Sequence, residues 1–308
     1  MNSKVDLTVI MPVYNGGDYL QLTLESVVNN MTGFLVECVV INDGSTDDSA
    51  KIIEAFSDRI RVVNQANSGE SAAVNKGLEL ARGKYALVVS ADDPILTSEI
   101  FDGVVSFFEN NQDVMAWYPD WRTIDENGLA IRVNQLDDYS FTQLFAKNKV
   151  LAGPGTWFRV DQARQIGGRQ TKWKYVGDFD FWLRLSINGR LEHRPGVLAQ
   201  WRQHPKSTSI SERGHDMARE RIEVIREFIE HNYSQLDPKE ISLAKAHSYF
   251  LAARLGFFSR DVDARNLFFD AIKTDFRVAR SIRLLEMIFL SFFPLSKYVW
   301  DLLSRLRK

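Results

Sequence analysis

The chain has 308 residues, 45% of them hydrophobic, and a formal net charge of −2. That length can bury a sizeable core in one large domain with an appendage. The near balance of charge gives no global basic field and argues against nucleic acid as a partner. The single cysteine, Cys38, sits in the apolar run VECVVI and has no internal partner, so it reads as a packing residue in a reducing compartment. No basic stretch followed by a long apolar run opens the sequence, and a cytoplasmic location is expected.

Residues 7–13 (LTVIMPV), 36–41 (VECVVI), 60–63 (IRVV) and 85–90 (YALVVS) are short runs rich in β-branched residues and mostly apolar on both faces. Strands of a covered parallel sheet have this pattern. Between them lie helical patterns. Leu20, Leu24, Val27 and Val28 recur at helical spacing after a start signal at Asp18 with Gln21 three residues on. Ser45 and Asp48 in DGSTDDS are spaced as a capping box for a second helix. A third, with Val74, Gly77, Leu78 and Ala81, stops at Gly83.

The β-α-β-α-β-α-β order predicts an α/β fold, a doubly wound, mainly parallel sheet with helices on both faces and right-handed crossovers. The ligand crevice of such a sheet lies beyond the carboxyl ends of its strands. The polar clusters YNGGD, NDGSTDD, NQANSGE and SADDP all follow strands, so four loops converge there. Adjacent Asp92 and Asp93, at the mouth of a buried strand, repel each other and call for a neutralising cation.

From about residue 115 the pattern changes to aromatic-rich strands, MAWYPDW, GPGTWFRVD and VLAQWRQH, which read as an antiparallel extension. Residues 213–308 read as a C-terminal helical region. Its last stretch, 280–308, is apolar but broken by Glu286, Pro294, Lys297 and Asp301, too interrupted for a spanning helix of about 20 apolar residues. Two readings of it stand open: an amphipathic tail in a membrane interface, or helices packed on the preceding domain.

The loops spell VIMPVYNGGDYLQLTLESV, VVINDGSTDDS, QANSGESAAVNKGLELARGKYALVVSADD and VGDFDFWLRL. In this order they resemble the family 2 glycosyltransferases of GT-A fold, over roughly residues 5–205. The resemblance implies a GT-A-like domain over 1–212, with a donor half of about 1–114 and an acceptor half of about 115–212. It implies transfer of a sugar from a nucleotide diphosphate donor to a hydroxyl, with Mg²⁺ or Mn²⁺ bridging the pyrophosphate and neutralising the acid pair.

By the family's motif Asp92 is the metal ligand, and Asp93 its donor-side neighbour. The usual first acid is Ser90 here, so a further ligand would come from elsewhere, such as His204. Pro12 and Tyr14 would border the base, and Asp43 would accept a hydrogen bond from the imide edge of uracil or thymine, which makes the donor a UDP- or dTDP-sugar. Asn75 points to the crevice, whereas the usual arginine is Val74. Arg202 and His204 alternate on one side of an extended segment and could close over the pyrophosphate.

Asp178 matches the general base, with Gly177 in place of the family's preceding acid, and predicts inversion at the anomeric carbon. Asp180 reads as a cap or as a partner of Arg184. Trp117, Trp121, Trp157 and Trp173 could stack on sugars or pack in the core. The family's processive signature is absent, which favours single addition to a cell-surface glycan or a lipid-linked oligosaccharide, on the inner face of the cytoplasmic membrane. An alternative is a degenerate member that binds a nucleotide sugar or a partner without catalysis. A dinucleotide enzyme lacks its G-x-G-x-x-G here.

Overall fold

A computed structural model describes residues 5–31, 33–204, 214–259 and 263–280. Two compact units divide the chain: residues 1–139 with 150–204, and residues 140–149 with 205–308. The expected boundary near 212 and the tail 281–308 lie outside the described residues.

The first unit is built on β1 (Leu7–Val13), β2 (Val36–Asp43), β3 (Arg61–Gln65) and β4 (Tyr85–Val88), joined by helices α1 (Gly17–Asn30), α2 (Ser49–Glu54) and α3 (Glu70–Leu80). These four strands are parallel, in the order β3-β2-β1-β4. The connections from β1 to β2 and from β2 to β3 run to one side of β1 and that from β3 to β4 crosses to the other, which makes the carboxyl ends of β1 and β4 the switch point where a sheet of this kind binds its ligand.

The apolar periodicity explains the layering. All seven β1 residues are buried, and α1 turns Leu20, Leu24, Val27 and Val28 onto the same core as Val9, Met11 and Leu87. Each such side chain contributes about 1.5–3 kcal/mol when fully buried. Cys38 belongs to this core, and burial pushes its thiol up to about 12. It is a packing residue, as expected.

The sheet continues through α4 (Val104–Asn110), β5 (Val114–Ile124), β6 (Ala130–Asn134), β7 (Trp157–Arg159), α5 (Val160–Gln165), α6 (Gly177–Leu185) and β8 (Arg190–Arg202). β7 inserts antiparallel between β4 and β5, and β6 pairs antiparallel with β5. β8, read from sequence as part of the antiparallel extension, instead runs parallel to β5. Two helices separate it from β7 and return the chain to the starting end of β5, a matter of topology that residue pattern does not encode.

Helix ends differ from the local signals. α1 begins at Gly17, whose N–H donates to Asp47 Oδ2 at 3.0 Å across the crevice loops. The Ser45–Asp48 capping box does not form, because the Ser45 hydroxyl accepts from Asn15 N–H at 3.1 Å. α3 ends at Leu80 and not at Gly83, its terminal carbonyls bonded by Arg164, which reaches Leu78, Glu79 and Ala81.

In the second unit α8 (Pro238–Ser259) and α9 (Ala264–Thr274) pack around Ala246, Phe250, Ala253, Phe268 and Ala271, and α7 (Gly214–Asn232) lies against α8. Asp237 caps α8 by accepting the Lys239 N–H at 2.6 Å, with Pro238 at the first helical position. No helix among the described residues is long and apolar enough to cross a membrane.

Candidate donor crevice

The loops after β1 and β2 are laced together. Asn15 takes a left-handed conformation (φ 52°), its Oδ1 accepts from Thr46 N–H at 2.8 Å, and Gly16 N–H donates to Ser49 Oγ at 3.0 Å. Tyr14, on this ledge, is 54% exposed and presents its ring to solvent, whereas Pro12 is buried within β1 opposite Ile41. Of the two residues expected at the base, Tyr14 offers the free face.

Asp43 ends β2 almost fully buried. Its Oδ1 accepts from Gln65 Nε2 at 2.7 Å and Ser68 N–H at 2.9 Å, and its Oδ2 from Gly69 N–H at 2.9 Å. Three of about four acceptor sites on the carboxylate are therefore engaged in holding the loop between β3 and α3. Neighbouring Asn42 bonds Asn64 Oδ1 and accepts from Ser45 N–H. This corner is a hydrogen-bonded anchor.

Asn75, expected to face the crevice, has both ends of its amide committed. Nδ2 donates to Arg169 O at 2.7 Å and Oδ1 accepts from Arg169 N–H at 2.8 Å. Gly168 beside it has φ +68°, and a Cβ there would lie 2.3 Å from Asn75 Oδ1, so glycine is needed for the clamp to close. Val74 is buried and packs in the core, as read.

The acid pair follows β4, where the end of β8 comes back to meet it. His204 Nε2 lies 2.9 Å from Asp92 Oδ2, Arg202 N–H donates to Asp93 Oδ1 at 2.8 Å, and Arg202 Nε donates to Asp92 O at 3.0 Å. Arg202 is 3% exposed and also bonds the carbonyls of Asp125 and Glu126. Expected to close over a pyrophosphate, it is instead enclosed as a brace for the acid loop.

Tyr19, which sequence reasoning passed over as an ordinary position of α1, lies 4.7 Å beneath the Arg202 guanidinium and 4.9 Å from the His204 ring. Burial, first, and the Asp92 charge push the Asp93 carboxyl well above its ordinary range, against the opposing effect of Arg202.

The Asp92 side chain is 33% exposed beside His204. Among the described residues no three His, Cys, Asp or Glu side chains form a metal cluster. A carboxylate with one adjacent imidazole fits a divalent cation whose remaining ligands are phosphate oxygens and water.

Asp178 is exposed in the first turn of α6, where the helix N-terminus favours a carboxylate anion. Val176, not Asp178, occupies the capping position. Asp180 pairs with Arg184 at 2.7 Å, as the spacing suggested. Gly177 packs against the start of α3: a Cβ would lie 2.7 Å from Ser71 Oγ, which crowds any larger residue at the position where the family carries an acid. Trp117, Trp157 and Trp173 are buried, and only Trp121 keeps part of its surface, so the stacking expectation narrows to that residue.

The Glycosyl transferase family 2 profile matches residues 8–166, half of the chain, and the chain belongs to that family. It is 33% identical over 181 residues to the uncharacterized glycosyltransferase YibD of Escherichia coli, covering 57% of this chain and 48% of YibD. The chain thus spans about half the length of that relative. TarS 1–349 of S. aureus, solved with UDP-GlcNAc, superposes with a TM-score of 0.58 at 16% identity, over 90% of this chain and 93% of TarS 1–349. The mannosyltransferase PcManGT of Pyrobaculum calidifontis, solved with GDP-Man and Mn²⁺, gives 0.57 at 15% identity, over 97% and 88%. At these identities the likeness establishes the shared GT-A fold.

Proposed function

We propose that the chain is an inverting, non-processive glycosyltransferase. It moves a sugar from a nucleoside diphosphate donor, UDP- or dTDP-linked, to a hydroxyl of a cell-surface glycan or lipid-linked oligosaccharide. The observation that carries this reading is the return of β8 to the loop after β4, which sets His204 against Asp92 at the carboxyl ends of the parallel strands. Proteins of the same fold have been solved in complex with UDP-GlcNAc and with GDP-Man and Mn²⁺, which supports a nucleotide-sugar donor.

Asp92 and His204 would hold Mg²⁺ or Mn²⁺. When bound, the cation supplies Lewis-acid stabilisation of the departing diphosphate. Tyr14 covers the base, and Asp43 fixes the loop that leads into α3. The exposed Asp178 carboxylate accepts the proton of the acceptor hydroxyl as that oxygen attacks the anomeric carbon, worth about 10²–10⁴ in rate. Protein on the inner face of the cytoplasmic membrane, held by the tail 280–308, would meet a lipid-linked acceptor there.

The test needs no acceptor. Nucleotide sugars are incubated with the chain in Mn²⁺, and slow transfer to water is followed by NMR. Release of nucleoside diphosphate with the inverted anomer is expected. No turnover of any donor, with nucleotide still bound, would replace this reading by the non-catalytic one.

A further inference from the structure

The segment running from α5 into α6 is fixed with more care than a surface loop needs. Arg184 Nη1 donates to Ile166 O and Nη2 to Gly168 O, both at 2.7 Å, while Asn75 grips both backbone polar groups of Arg169. These contacts come from two different helices and leave the Arg169 backbone no freedom. What they deliver is its guanidinium.

That guanidinium is only 11% exposed, and its Nη1 donates to Glu70 Oε1 at 2.8 Å. Glu70 is 65% exposed and opens α3, directly after Gly69, whose N–H is held by Asp43. The pair is asymmetric. An exposed carboxylate leaves such a bridge at small cost, whereas an enclosed guanidinium needs an anion in its place.

The surroundings point to the crevice. Ser71, which follows Glu70 in the chain, packs against Gly177 beside Asp178. A dianionic ligand entering here meets repulsion from Glu70 and a planar, fork-shaped donor in Arg169, a geometry suited to phosphate oxygens.

We infer that Arg169 is a binding residue for the donor diphosphate, held in readiness by Glu70, which swings to solvent when the ligand arrives. The inference rests on the nucleotide-sugar reading above. Arg169 is a contact for the phosphates, and Asn75 and Arg184 are its positioning residues.

The test is calorimetric titration of UDP, GDP and UMP in Mn²⁺ against wild type, Arg169→Ala, Arg169→Lys and Glu70→Gln, with a melting curve for each. Arg169→Ala should weaken the bound nucleoside diphosphate by about tenfold to a hundredfold. Its preference for diphosphate over UMP should shrink, at an unchanged melting temperature. Arg169→Lys should recover part of the loss, and Glu70→Gln should bind at least as tightly as wild type. Undiminished diphosphate binding by Arg169→Ala overturns the inference alone. So does an equal loss for UMP and diphosphate accompanied by a lowered melting temperature, which would make Arg169 a loop brace. Wild type that binds no nucleoside diphosphate overturns the donor reading itself and this inference with it.

Discussion

His204 Nε2 lies 2.9 Å from Asp92 Oδ2, joining residues 112 positions apart in the chain. The contact exists because β8 runs parallel to β5 and ends where the loop after β4 begins, and because Tyr19 backs both Arg202 and His204. A single imidazole thereby stands beside Asp92, in a loop where the sequence has Ser90 and not a further acid. The carboxylate pair that looked self-repulsive is eased by two contacts: Arg202 N–H donates to Asp93 Oδ1, and the His204 imidazole lies against Asp92 Oδ2.

Asp178→Ala should abolish most transfer while leaving the protein intact. The side chain is exposed and its Oδ1 accepts only the adjacent Phe179 N–H, at 2.7 Å in the first helical turn, so stability should change by about 1 kcal/mol or less. Turnover should fall by about 10²–10⁴ with nucleotide affinity unchanged. Donor hydrolysis and calorimetry on the same preparation check this, and turnover near the wild-type rate would remove Asp178 from the role of base.

Asp43→Ala should act through structure. It frees the Gln65 amide and the N–H groups of Ser68 and Gly69, at a cost of about 2 kcal/mol. A melting temperature lower by about 4–8 °C is expected, together with weaker nucleotide binding as the loop into α3 loosens. Weakened binding at an unaltered melting temperature would instead make Asp43 a direct ligand of the base.

The second unit carries a carboxylate sensitive to acid. The hydrogen bond from Arg277 holds Asp275 down at about 2 from an ordinary 3.8, with burial opposing and Ser242 assisting. A depressed folded pKa means stability that is present above about 3.8 and lost as pH falls towards 2. With Arg277 exposed to solvent, the screened contribution is about 1 kcal/mol. Urea unfolding should show Asp275→Asn weaker than wild type at pH 7, the gap closing through that acid window. A gap independent of pH would assign the loss to packing.

The parallel half of the sheet was legible because buried parallel strands need apolar residues on both faces, and β1 to β4 follow the runs read from sequence closely. β2 extends to Asp43, past the expected end at Ile41, because Asn42 and Asp43 still pair with β3. β4 ends at Val88, before the expected Ser90, since its pairing with β1 stops at Ile10. The approach of His204 to Asp92 was anticipated as a pairing, and Tyr14 as an exposed ring on the loop after β1.

The clamp of Asn75 on Arg169 was not, since its partners are 94 residues apart and an IGGRQ turn signals only a reversal. The setting of Arg202 was not legible for a related reason. Alternation along β8 put it on one side with His204, but its bonds to the Asp125 and Glu126 carbonyls depend on a turn that only the fold brings near.

If the loops around Asp92 form a metal-assisted nucleotide site, titration of UDP, dTDP, GDP and CDP into wild type and Asp92→Ala by calorimetry, in Mn²⁺ and in EDTA, reads it out. One nucleotide should bind wild type in Mn²⁺ and lose at least about tenfold in affinity both on chelation and in the variant. Nucleotide binding indifferent to Mn²⁺ and to Asp92→Ala, or no binding at all, would contradict it.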